Sequence, residues 1–226
     1  ADTLSYFDLQ ESMQQESFRM SKNILDIRNR MRSLADEKLD VEEENRKLWH
    51  KAQTDPLTGM YNRLKLNVQG EEAYERALIN NTPLAIEILD IDFFKEYNDN
   101  YGHQKGDECI RFIAEEILDL KRFGNVFCSR YGGDEFVLIY EGYTKDEVFA
   151  IAKALKASIA EKKREHKYAR TNTKYVTISQ GIFWGIPKEG LTPWNFLHNA
   201  DKMLYKVKRK TRSEEHTSEL QSHLNL

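Results

Sequence analysis

The chain has only two cysteines, Cys109 and Cys128, both in apolar surroundings and without metal-ligand spacing. That excludes a disulfide framework and a cysteine metal site, and reads as reduced thiols in a cytoplasmic compartment. No stretch approaches the ~18 consecutive apolar residues that a membrane-crossing helix needs. There is no Gly-x-x-x-x-Gly-Lys-Ser/Thr loop, so a P-loop nucleotide fold has no support. A formal charge of −3 provides no broad basic field, and nucleic-acid binding is not indicated. No initiator methionine or signal peptide opens the sequence, which reads as the C-terminal part of something longer. Membrane attachment would enter only through such an upstream region.

Glycine and proline are absent from residues 5–53, a segment dense in Glu, Lys and Arg. Apolar residues recur there every seven positions, at Met13, Met20, Ile27, Leu34, Val41 and Leu48. A second series runs through Ile24, Met31, Lys38, Asn45 and Ala52. These are the two seams of a heptad, and the spacing predicts a parallel coiled coil over residues 1–53, with a homodimer as its product. A single amphipathic helix lying on its own domain is the alternative. Lys38 and Asn45 weaken the seam while fixing register, and at 1.5 Å per residue the helix reaches roughly 70 Å.

Gly132-Gly133-Asp134-Glu135-Phe136 places two carboxylates just after a double-glycine turn, with Val137-Leu138-Ile139-Tyr140 behind them. Adjacent acids repel, and beside a buried strand they also lose solvation; a divalent cation removes both costs. An ordinary Gly- and Asp-rich surface hairpin is the other reading. A second strand, from Leu84, has Leu84, Ile86 and Ile88 on one face and ends in Asp90 and Asp92. Two strand ends rich in carboxylates suit Mg²⁺, which takes few protein oxygens. A polar strand end or a helix cap would explain Asp90 and Asp92 equally.

The run Arg130-Tyr131-Gly132-Gly133-Asp134-Glu135-Phe136 resembles the signature of the GGDEF family of diguanylate cyclases. Asp55-Pro56-Leu57-Thr58-Gly59 with Tyr61-Asn62-Arg63 resembles the family's opening motif. Asp90-Ile91-Asp92-Phe93-Phe94-Lys95, Asn98, Tyr101-Gly102-His103 and Gly106-Asp107 resemble its central block. Ala200-Asp201-Lys202-Met203-Leu204-Tyr205 with Lys208 resembles its last helix. The likeness covers roughly residues 54–212.

The resemblance implies condensation of two GTP into cyclic di-GMP with release of two pyrophosphates, across a homodimer and with two Mg²⁺ or Mn²⁺ ions per site. It implies Asp90, Asp134 and the Ile91 carbonyl as metal ligands. Glu135 is either a further metal ligand or the acceptor of the 3′-hydroxyl proton. Asn98 and a buried Asp107 would read guanine, with Leu57 against the base. Phe93, Phe94 and Lys95 at a helix start, Gly132 and Gly133, Lys208 and Arg212 would meet the phosphates. Lys208 also lies in a basic run that reads as a solvated helix end. His103 reads as structural.

One departure concerns the Arg-x-x-Asp product site that many members carry before the double glycine. Its positions here are Phe123 and Val126, with Gly124 and Asn125 between, so both charges are missing and Arg122 is one place out of register. Helices are expected over 62–79, 105–120, 145–165 and 193–210, and strands over 85–90, 126–131, 135–140 and 175–183. Together they predict an α+β fold. The resemblance narrows this to a palm-like mixed or antiparallel sheet surrounded by helices, spanning 54–212 after the N-terminal helix. Residues 213–226 resemble a translated sequencing-library adapter and are assigned no part in the fold. A non-catalytic module binding GTP or cyclic di-GMP, and a purely structural dimerisation protein, are the rival readings.

Overall fold

The computed structural model describes residues 2–120, 124, 126–170 and 173–223, with the side chains of 2–6, 8 and 210–223 outside the description. The chain divides into two compact units, Ala1–Ala52 and Gln53–Leu226. The first is one helix, α1 (Asp2–Ala52). Its seam residues Met13, Met20, Ile27, Leu34, Val41 and Leu48 are all exposed on the single chain. Among the described residues, no helix is long and apolar enough to cross a membrane.

The second unit runs α2 (Arg63–Asn80), β1 (Leu84–Ile91), α3 (Phe94–Tyr101), α4 (His103–Leu118), β2 (Val126–Gly132), β3 (Glu135–Glu141), α5 (Lys145–Glu161), β4 (Ile178–Gly185) and α6 (Pro193–His223). Local chemistry sets several of these ends. The Asn62 side chain accepts from the Leu64 and Lys65 amides and so caps α2, which ends at Asn81 in the left-handed conformation. Thr144 and Glu147 form a reciprocal capping box at the start of α5.

The strands form one antiparallel sheet in the order β2-β3-β1-β4. All eight residues of β1 are buried, because helices cover both faces of the sheet. Leu84, Ile86 and Ile88 pack with Val137 and Ile139 under α2 and α6. Ala85, Leu89 and Ile91 pack with Phe136, Leu138 and Tyr140 under α4 and α5. The sheet's two-residue period thus sorts β1 between two cores.

Several elements differ from the expected bounds. Residues 94–101 form a separate short helix, α3, at the helix start expected for Phe93 to Lys95, and Asn98 lies within it. Helix α5 stops at Glu161, where Lys163 turns left-handed. The last strand begins at Ile178, and Tyr175 makes only an isolated bridge to Glu165. Helix α6 continues through the tail to His223.

Helix α6 lies very close to β4 at Gly181. A Cβ there would run into the Ala200 carbonyl oxygen and the Leu204 amide of α6, backbone atoms that cannot move aside cheaply. Gly181→Ala is therefore expected to destabilise the domain by about 1–3 kcal/mol in urea unfolding. Because α6 also carries Lys208, turnover should fall with it. Wild-type stability in that variant would contradict the close packing.

Candidate active site

Antiparallel pairing sets Asp90 of β1 directly opposite Glu135 of β3. Residues paired in this way project to the same face, here the face covered by α6. Asp134 precedes Glu135 at the tip of the β2–β3 hairpin. Gly133 takes φ +57° there, a conformation that favours glycine, and Gly132 is opposed by Glu135 beside a register shift.

This crowding is visible in the acidities. Burial first, then the Asp134 and Glu135 charges, push the Asp90 carboxyl up to about 6. Burial raises Asp134 as well, and burial together with the Asp134 charge raises Glu135. The opposing charge comes from Lys208 of α6, whose Nζ lies 2.5 Å from Asp90 Oδ2. Expected as a phosphate contact, Lys208 is here the counter-ion of the most buried acid in the group.

Asp92, grouped with Asp90 in the sequence, has a different task. Its two carboxylate oxygens accept from Thr177 Oγ1 and Ser179 Oγ, each at 2.6 Å, and its amide donates to the Thr177 carbonyl at 2.9 Å. Asp92 thus ties the end of β1 to the start of β4. After it, Phe93 is left-handed at φ 56°, uncommon for a bulky residue, and opens α3 with no side chain capping the helix. The first amides of α3, at Phe94 and Lys95, are therefore not claimed by a side-chain cap. Lys95 is exposed, while Leu57 and Phe94 pack on the core under α4.

Asn98, one turn along α3, has a buried Oδ1 without a hydrogen-bond partner. A buried acceptor left open is costly, and such atoms mark places that need a donor. Gly106 of α4 makes room for it, since a Cβ at that position would overlap the Asn98 carboxamide. Asp107 is exposed, contrary to the expectation of a buried carboxylate, because at this point α4 turns it away from the core. The exposed His103 opens α4. The Arg212 side chain, Arg122, Phe123 and Asn125 lie outside the described residues, whereas Val126 is buried at the start of β2.

Arg130 holds the hairpin from beneath. Its Nε and Nη2 donate to the Gly133 carbonyl at 3.0 and 2.7 Å, and its Nη1 reaches both Asp55 oxygens at 3.0 Å. Burial would raise Asp55, but hydrogen bonds from Thr58 and Arg130 hold it below the usual range. The motif containing Asp55 thus braces the turn that carries the acids. This role follows from the fork geometry of arginine and is not readable from either motif separately.

The family profile described as "Diguanylate cyclase, GGDEF domain" matches residues 52–214. The chain belongs to the GGDEF family. It is 34% identical over 162 residues to the response regulator PleD of Caulobacter vibrioides, covering 72% of this chain and 35% of PleD. A diguanylate cyclase of Vibrio cholerae is 32% identical over 174 residues, 77% of this chain and 52% of that protein. The chain thus spans about a third to a half of the length of these curated relatives. The coiled coil and GGDEF domain of DgcB from Caulobacter crescentus, solved with c-di-GMP, superposes with a TM-score of 0.68 at 29% identity, covering 78% of this chain and 93% of that one. SiaD of Pseudomonas aeruginosa, solved with its activator SiaC, gives a TM-score of 0.64 at 26% identity, over 89% of this chain and 75% of that one.

Among the described residues of this GGDEF domain, no three or more His, Cys, Asp or Glu side chains are close enough to cage a metal ion unaided. The donor chemistry nevertheless fits a hard divalent cation. Carboxylates are the ligands such ions take, and these are held partly buried against mutual repulsion. In the folded chain the Asp90 carboxyl is pushed up to about 6, above its ordinary value of 3.8. Folding therefore retains a proton across that window, and stability falls as pH rises through it. Asp134→Asn removes one of the charges acting on Asp90. Without divalent cations it should flatten that fall and raise stability at pH 7.5 by about 0.5–2 kcal/mol in urea melts. A variant less stable than wild type at pH 7.5 would contradict this.

Proposed function

We propose that this GGDEF domain condenses two GTP molecules into cyclic di-GMP, releasing two pyrophosphates. The observation that carries the reading is the strand register that sets Asp90 against Glu135, with Asp134 at the turn beside them. Asp90, Asp134 and Glu135, with the Ile91 carbonyl, would hold two divalent cations per site, Mg²⁺ or Mn²⁺. Such cations supply neutralisation of phosphate charge and polarisation of the reacting oxygens. The chain's own part is to bind and orient, which is where phosphoryl transfer gains most of its rate.

Asn98 Oδ1 accepts from the guanine edge and Asp107 adds a second acceptor. Leu57 lines the base, and the amides of Phe94 and Lys95 with the Lys95 ammonium hold the outer phosphates. Gly132 and Gly133 let the hairpin backbone approach the nucleotide. Arg212 completes the phosphate contacts. When the 3′-hydroxyl of one nucleotide attacks the α-phosphate of the other, Glu135 either takes its proton or serves only as a ligand to the cations. Lys208 is drawn from Asp90 towards phosphate as the carboxylates gain other counter-charges.

Each domain holds one GTP, so a two-fold symmetric product requires two domains face to face. The exposed heptad seam of α1 supplies the means, a parallel coiled coil with a second copy. A seam weakened at Lys38 and Asn45 admits alternative packings through which an upstream region could control the encounter.

Incubation with GTP and Mg²⁺ should yield cyclic di-GMP, and Asp134→Ala should yield none. Bound but unchanged GTP would show instead a non-catalytic binding module. With ATP and GTP mixed, Asn98→Leu should cut the preference for guanine roughly tenfold, the cost of about one buried hydrogen bond. The missing charges at Phe123 and Val126 imply no product inhibition through the Arg-x-x-Asp position. Titration calorimetry should show no cyclic di-GMP binding there, and micromolar binding of two ligands per chain would refute that.

A further inference from the structure

His166 lies in the α5–β4 connection, well away in sequence from every motif of the site, yet it is only 1% exposed. Its Nε2 is 3.1 Å from the carbonyl oxygen of Phe93. A carbonyl can only accept, so Nε2 carries the proton and Nδ1, which is buried without a partner, does not. Burial lowers the pKa of the ring, consistent with a neutral imidazole that donates from one side. The ring is fixed edge-on against Tyr97 at 5.0 Å and Tyr101 at 6.3 Å, both on α3. Next in the chain, the Lys167 amide donates to Tyr101 Oη at 2.9 Å, at the far end of the same helix.

The connection therefore grips α3 at both ends, and its grip at the front falls on Phe93, whose backbone is left-handed at φ 56°. The Phe93 carbonyl already accepts from the Tyr97 amide at 3.0 Å, the first bond of the helix. A second donor on that oxygen fixes the orientation of the peptide between Phe93 and Phe94, and with it the direction of the Phe94 amide. Left-handed backbone at a bulky side chain costs of order 1 kcal/mol or more and persists only where its surroundings hold it.

We propose that His166 is a positioning residue for triphosphate binding: its Nε2–H holds the left-handed Phe93 so that the Phe94 and Lys95 amides face the outer phosphates. The inference rests on the reading of this turn as the phosphate-holding element. It predicts that His166 acts on the phosphates and not on the base, because Asn98 lies a turn further along a helix that the aromatic packing would still hold.

The test compares the full chain with His166→Phe, which keeps a packing ring but cannot donate, and His166→Gln, which restores an N–H donor. Calorimetry in Mg²⁺ would measure binding of GMP and of a GTP analogue with a methylene bridge between its α- and β-phosphates. Wild type should bind the analogue more tightly than GMP. In His166→Phe the analogue should weaken about tenfold while GMP stays within about twofold, and His166→Gln should recover most of the loss. If His166→Phe retains analogue affinity, or weakens both ligands equally, the inference fails and His166 is a core residue only. If wild type itself shows no preference for the analogue, it is the phosphate-binding reading of the turn that fails, and the inference falls with it.

Discussion

The crowding of Asp90, Asp134 and Glu135 is the constraint to which the rest of the catalytic unit responds. Antiparallel pairing leaves Asp90 and Glu135 no freedom to separate without breaking β1 from β3. Burial under α6 deprives them of the water that would screen their repulsion. The fold resolves part of this with Lys208, the ammonium that meets Asp90, and so makes the position of α6 matter to the site. That is why β4 carries Gly181 where α6 passes, and why the helix can lie close enough to deliver its lysine.

A second theme is that no segment of the site holds its own shape. The hairpin tip is braced by Arg130 and Asp55, the end of β1 by Thr177 and Ser179 through Asp92, and the turn at Phe93 by His166. Asp55, Thr177, Ser179 and His166 come from distant parts of the chain, whereas Arg130 reaches the Gly133 carbonyl from within the same hairpin. The result is a braced set of groups in which Asn98 Oδ1 is buried without a partner and the early α3 amides carry no side-chain cap. Preorganisation of this kind is what phosphoryl transfer needs, since it involves little covalent work by the protein.

Much of this was readable from residue order. The alternation of Leu84, Ile86 and Ile88 gave the strand and its faces, the sevenfold apolar spacing gave α1, and the Gly-Gly turn gave the hairpin. What the sequence hid were properties that depend on contacts across the chain. Asp90 and Asp92 look equivalent in a strand of alternating acids, but one faces α6 and the other meets the hydroxyls of Thr177 and Ser179. The resemblance implies a buried Asp107, yet helical rotation turns it outward. The start of helix α3 was legible at Phe93 to Lys95, but the helix is short and uncapped, so its extent to Tyr101 was not. The partner of Lys208 could be learned only by folding. His166, surrounded in sequence by charges, carries no pattern that separates it from a surface histidine.

The central claim is that these three acids form one electrostatic unit made to receive divalent cations. Electron paramagnetic resonance of Mn²⁺ binding, with the methylene-bridged GTP analogue present, tests it directly. Wild type should immobilise Mn²⁺, and Asp90→Asn and Asp134→Asn should each lose most of that binding while the domain remains folded by circular dichroism. Mn²⁺ binding unchanged in both variants would contradict the account.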